Sequence, residues 1–209
     1  MYLFTRSGRF GPGSVGDAMT FAVAATEKVH QETGLDIHAW IASMSPELGT
    51  CVWASFVETL EELEAANDKL AVSAEFTALA EQGSALFAGP LQDGLAQVVH
   101  GTRDPSAPLP AYVTVARAQA ANGSVRTAIT GGIEIAEAAT RITGLPTSFM
   151  VDSTGAYGGC RWTTGYADIA AVQRAEEALA ADEGWLELID RHGTSYAPGA
   201  SQSMYRRLA

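Results

Sequence analysis

The chain repeats itself. Gly13-Ser14-Val15 recurs as Gly123-Ser124-Val125, and Thr33-Gly34-Leu35 recurs as Thr143-Gly144-Leu145, both 110 residues later. Farther on, Cys51-Val52-Trp53 matches Cys160-Arg161-Trp162 at a distance of 109, so the second copy has lost one residue in between. Leu70 and Leu179, Phe76 and Trp185, and Phe87 and Tyr196 stay in that register. Whatever the first half builds, the second must build again. Between the copies Pro105, Pro108 and Pro110 crowd the segment Gly101 to Pro110, which disfavours helix and predicts an extended connector. The expected organisation is a first repeat over 1–100, a Pro-rich linker over 101–110 and a second repeat over 111–209.

Tyr2 to Arg6 alternates as a strand does, and the Gly8 to Gly13 segment ends it. A helix follows, with Ser14 as N-cap, Asp17 three residues on, and Val15, Met19, Ala22, Val23, Thr26 and Val29 on one face. Gly34 stands where a C′ glycine stops a helix, and Ser124 and Gly144 repeat the same punctuation. Two strands come next, Leu35 to Ser43 and Thr50 to Val57, with counterparts Leu145 to Asp152 and Gly159 to Tyr166. The second helix starts at Thr59 with Glu62 as capping-box partner, runs to Leu79 and carries Leu60, Leu63 and Leu70 on one side; its counterpart starts at Asp168. Ser84 to His100 and Thr194 to Leu208 close each copy as broken extended segments.

The order is β-α-β-β-α-β, twice, which is the ferredoxin-like arrangement. A four-stranded sheet with helices on one face leaves the other uncovered, and two such sheets in one chain can bury those faces against each other. The fold class expected is therefore α+β: two tandem ferredoxin-like repeats forming an intrachain pseudo-dimeric α+β barrel. At this point the chain resembles the dimeric α+β barrel superfamily in its tandem fused form. The stretch Val52-Trp53-Ala54-Ser55-Phe56-Val57-Glu58-Thr59-Leu60 is similar to the NIPSNAP-type branch, and Arg161-Trp162-Thr163-Thr164-Gly165-Tyr166-Ala167-Asp168-Ile169 reproduces it. The resemblance implies a ligand held inside the barrel, and it brings cofactor-independent monooxygenases and haem-degrading enzymes into view. The haem-degrading branch uses an Asn on the first strand and a His on the second helix. Neither first strand here has an Asn and neither second helix a His, which disfavours that activity.

Charge narrows the partners. Thirteen basic residues against 24 acidic ones give a formal net charge of −11, which repels phosphate backbones and anionic lipid headgroups. The excess sits mainly in the first half, where 1–109 holds five basic and 14 acidic residues. Nucleic acid and membrane are thus not expected as partners, and no window is long and apolar enough to span a bilayer. A cytoplasmic protein is the expectation. Cys51 and Cys160 are too few for a disulfide scaffold, although they could pair with each other. Four scattered histidines without metal-ligand spacing argue against a metal site, and the glycine clusters lack the order that cradles phosphates. No cofactor is expected.

On the second strand, Ile37, Ala39 and Ile41 alternate with Asp36, His38, Trp40 and Ala42. The apolar set should face the helices, which turns His38 and Trp40 into the barrel. His38 is the candidate catalytic base, with an ordinary pKa near 6.5, and Trp40 a ligand contact. The competing role for both is satisfied packing inside the barrel. Ser148 and Met150 take the corresponding places in the second copy, so the two half-sites are unequal. Met150, Arg161 and Trp53 complete the ligand-binding candidates, while the register leaves open whether Trp53 and Trp162 face a cavity or the helices. The function expected is binding of a small apolar or aromatic molecule. The alternatives are a cofactor-independent monooxygenase or isomerase, and a structural protein with a filled barrel. A homodimer is also expected, because Leu86 to Val99 offers apolar surface and edge-strand backbone.

Overall fold

A computed structural model describes residues 1–13, 15–102 and 106–209. The first half contains β1 (Tyr2–Arg9), α1 (Val15–Thr33), β2 (Ile37–Ala42), β3 (Thr50–Val57), α2 (Leu60–Val72), α3 (Ala74–Ser84) and β4 (Gln92–His100). The second half repeats the series as β5 (Tyr112–Gln119), α4 (Val125–Thr143), β6 (Thr147–Asp152), β7 (Gly159–Tyr166), α5 (Ile169–Ala181), α6 (Glu183–Gly193) and β8 (Ser201–Arg207). The hydrogen-bonded strand order β1-β3-β2-β8-β5-β7-β6-β4 closes on itself as a barrel. The fold is α+β, with two tandem ferredoxin-like repeats forming an α+β barrel. The repeat is exact in register at its centre: β1 pairs with β3 from Tyr2↔Val57 to Arg9↔Thr50, and β5 with β7 from Tyr112↔Tyr166 to Gln119↔Gly159.

Two compact units result, one of Met1–Leu95 with Tyr205–Ala209 and one of Ala96–Met204. In the first, α1 buries Ala18, Ala22, Ala25, Thr26 and Val29. This is not quite the face read from the larger side chains, since Val15 is exposed and the buried stripe is mainly alanine. Small residues let the helix approach the sheet closely. On β3 the alternation is clean, with Cys51, Trp53, Ser55 and Val57 buried. Ile37, Ala39 and Ile41 of β2 pack with Trp53 and α1, so the apolar set of β2 does face the helix. The capping residues Ser14 and the linker positions Arg103 to Pro105 lie outside the described residues.

Several boundaries differ from the sequence reading, each for a physical reason. β1 continues through Gly8 to Arg9, because Gly8 pairs with Cys51 and its missing side chain admits Phe87 and Leu91. The long second helix is two helices. Ser73, with extended backbone, ends α2 and caps α3 by accepting from the Phe76 N–H at 3.1 Å; Asp182 does the same for Trp185 at 2.8 Å. Such side chains offer the backbone an alternative partner and break a helix. Thr59 accepts from the Glu62 N–H as expected, Leu60 is exposed, and Ser124 makes no side-chain cap. Gly34 and Gly144 both stop their helices with left-handed φ of 80° and 70°. β4 is no edge: its neighbours are β1 and β6, so the exposed Leu91 and Val99 are not accompanied by open strand backbone.

In the second unit the Phe149 and Trp162 rings meet at a tilt of 38° with centroids 5.1 Å apart, and the Phe149 ring lies over Gly132. A Cβ there would meet Phe149 Cζ at 2.3 Å. Gly132→Ala should therefore lower stability by about 1–3 kcal/mol, as overpacking does. Gly132→Ala/Phe149→Ala recreates the Ala22/Ala39 pair of the first copy and removes the clash, so its loss should be of cavity rather than overpacking type. Chemical denaturation of the single and double variants measures the coupling; additive effects contradict this account.

Candidate functional site

The first unit encloses a cavity of about 450 Å³ between its sheet and its helices. Phe4 and Arg6 of β1, Ile37 of β2 and Trp53 of β3 form its floor, with Phe21 and Ala25 of α1 on one side. Leu63, Asn67 and Leu70 of α2, Phe76, Leu79 and Gly83 of α3, and Phe87 beyond α3 close it. A wider mouth shares Arg6, Asn67, Leu70, Phe76 and Ser84 and adds Thr77 and Glu81.

The floor is held rigidly. Trp53 Nε1 donates to the Ala22 carbonyl of α1 at 3.1 Å, and Phe21 and Phe87 stand about its ring at centroid distances of 6.3 and 5.9 Å. Phe21 in turn sits on Gly83, where a Cβ would lie 2.1 Å from its ring. At the mouth Arg6 is bound side-on by Asp93, Nε to Oδ1 at 2.7 Å and Nη2 to Oδ2 at 2.8 Å. The Arg6 guanidinium also lies 5.7 Å from the centre of the Phe4 ring. The hydrogen bond that Arg6 donates to Asp93 is the main cause that holds the Arg6 proton more firmly than usual.

The same framework in the second unit carries different side chains. Trp162 Nε1 donates to the Gly132 carbonyl at 2.8 Å, repeating the Trp53 bond. Ile135 stands in the place of Ala25, Phe149 in that of Ala39 and His192 in that of Gly83. His192 is buried against Gly131 and lies 2.9 Å from Glu134 Oε2. Phe21 and Gly83 have thus exchanged sizes with Gly131 and His192. Phe4, Arg6 and Asp93 correspond to Thr114, Ala116 and Gln202, which supply neither ring nor ion pair.

Of the residues singled out from sequence, Trp53 lines the cavity. His38 and Trp40 stand on the opposite face of β2, where His38 Nε2 lies 3.0 Å from Asp36 Oδ1 and Trp40 is buried. Met150 and Arg161 are paired across β6 and β7 on the face away from Phe149 and Trp162. Arg161 donates from Nε to Asp152 at 2.7 Å and is ion-paired with it. The cavity therefore gathers Trp53 with residues that sequence reasoning missed: Arg6, Phe21, Phe76, Gly83 and Phe87. Phe76 and Phe87 were visible as repeat markers, and Arg6 only as the last residue of a strand.

Cys51 and Cys160 are free and buried. Burial pushes their thiols up to about 12 and about 11. Near pH 8 the folded protein should not react with Ellman's reagent, whereas addition of guanidinium should release both thiols at the rate of unfolding. Fast reaction of Cys51 in the native protein would contradict its burial. Among the described residues no group of three His, Cys, Asp or Glu could hold a metal, and no helix is long and apolar enough to cross a membrane.

No protein-family profile matches the chain, and no curated protein matches it. Solved structures do. A candidate monooxygenase of Fusobacterium nucleatum subsp. nucleatum is 8% identical with a TM-score of 0.74, covering 100% of this chain and 92% of that one. A candidate monooxygenase of Lactobacillus acidophilus is 6% identical at 0.68, covering 100% and 94%. An anthrone oxidase-like protein is 8% identical at 0.67, covering 99% and 90%. At such identities what is shared is architecture, and that architecture is the dimeric α+β barrel in which both repeats lie on one chain.

Proposed function

We propose that this chain binds a small, largely apolar or aromatic molecule in the cavity between sheet and helices of the first unit. The observation that carries the reading is the asymmetry of the repeat. One copy keeps about 450 Å³ open behind Trp53, a volume in the range of small-molecule sites. The other places larger side chains at Ile135, Phe149 and His192 on the same framework. The two copies thus line this place differently, and the side chains of the first leave room for an occupant. Five aromatic rings, Phe4, Phe21, Trp53, Phe76 and Phe87, offer edge and face contacts to a flat ligand.

A second reading, cofactor-independent oxygenation of the bound molecule, is supported by the descriptions of the three similar structures. Among the described lining residues the cavity wall holds a cation but no His, Asp or Glu; the carboxylates beside it are Asp93, bound to Arg6, and Glu81 at the mouth. His38 faces the other way. The reading thus requires one of these two carboxylates or the substrate itself to manage the proton. Protein-dependent dioxygen uptake with anthrone, above its own autoxidation, favours this reading; binding without uptake leaves the first.

The neutral fluorophore N-phenyl-1-naphthylamine tests the site. It should bind with enhanced emission and quench Trp53. Ala25→Ile, which installs the residue found at Ile135, should weaken that binding by about tenfold, or about 1.4 kcal/mol, while the protein stays folded. Binding unaffected by Ala25→Ile contradicts the proposed site.

A further inference from the structure

We infer that the ligand of this cavity is an aromatic acid, and that Arg6 is the residue that selects it by taking its carboxylate-type anion. The inference rests on the cavity reading above and adds the charge of the occupant. Arg6 contributes to both the cavity wall and the mouth. It is a cation placed against a ring-lined space whose other polar side chains are Asn67 and Ser84, in the half of the chain that is poorest in basic residues.

Three observations make Arg6 a receptor rather than a brace. Its pairing with Asp93 is side-on, through Nε and Nη2. Of the five N–H donors of a guanidinium, that pairing engages two, so Asp93 leaves the end-on edge to a second anion. Two oxygens at carboxylate spacing match that edge. Next, the Asp93 carboxylate and the Phe4 ring hold the guanidinium in place before any ligand arrives, which lowers the ordering cost of binding. Finally, the framework does not need the pair. Ala116 and Gln202 occupy the same strand positions in the second repeat, where β5 still neighbours β8 as β1 neighbours β4. The ion pair stands in the copy whose cavity it borders and has no counterpart at Ala116 and Gln202 of the other.

The chemistry implied is recognition of a planar aromatic body by the rings and of a two-oxygen anion by Arg6. A neutral molecule of the same shape gains the first and forgoes the second. Asp93 acts as a positioning residue, since it touches Arg6 and contributes no donor to the ligand.

The test compares two probes that differ only in an anion: 1-anilinonaphthalene-8-sulfonate and N-phenyl-1-naphthylamine. The full chain should bind the sulfonate at least about tenfold more tightly, and added salt should shrink that preference. Arg6→Gln should abolish the preference, and Arg6→Lys should restore part of it. Should Arg6→Gln fail to fold, the salt dependence and the Arg6→Lys variant decide. Equal affinity for the two probes, or equal weakening of both by Arg6→Gln, overturns the selection by charge. In that event sensitivity of the neutral probe to Ala25→Ile leaves the cavity reading standing, whereas insensitivity of both probes to Ala25→Ile removes the cavity reading as well.

Discussion

The hydrogen bond from a strand tryptophan to the carbonyl of a small residue on the first helix of each repeat sets the geometry on which everything else depends. Trp53 reaches Ala22 and Trp162 reaches Gly132. A buried indole N–H without a partner is costly, so the bond fixes where the helix lies along the sheet. It also requires a helix stripe with little or no side chain, because a larger residue would hold the helix too far away. The alanines of α1 and the glycines of α4 follow from that need. In α1 the same Ala22 carbonyl accepts from the Thr26 hydroxyl at 2.9 Å, which keeps the acceptor buried and occupied.

Given that fixed spacing, the fate of the space beside the tryptophan is decided by a few side-chain sizes. Phe149 brings bulk to one copy where Ala39 stands in the other, while His192 and Gly131 trade sizes with Gly83 and Phe21. Gly83 and Gly131 show that the exchange is reciprocal, since each glycine faces the large ring of the opposing helix. Packing at crystal-like density normally leaves few voids. A large one bordered by rings and a held cation is what the proposed binding rests on.

The same repeat logic separates the two faces of each sheet. Residues facing the helices make the cavity; those on the other face, His38 and Trp40 in one unit and Met150 and Arg161 in the other, are held by strand pairing, burial and the Asp36 and Asp152 carboxylates. Alternation along β2 was readable from sequence and holds in the structure. What it could not say was which face a ligand prefers. A resemblance placed the ligand inside the barrel, whereas the open volume adjoins the helices.

The sequence by itself determined the duplication, the β-α-β-β-α-β order, the extents of β3 and β7 and the glycine stops of α1 and α4. These are local or periodic properties: side-chain alternation, capping chemistry and positive φ act within a few residues and recur at a constant offset. Even the splitting of the second helix had a local sign in Ser73 and Asp182, outweighed by the continuous apolar pattern around them. Only the tertiary structure decided which side of Trp53 is open, that Arg6 meets Asp93 87 positions away, and that Phe21 fits over Gly83. Each depends on volumes and charges brought together by the fold from distant parts of the chain, and no period or spacing along a single strand or helix records how two such side chains share one space.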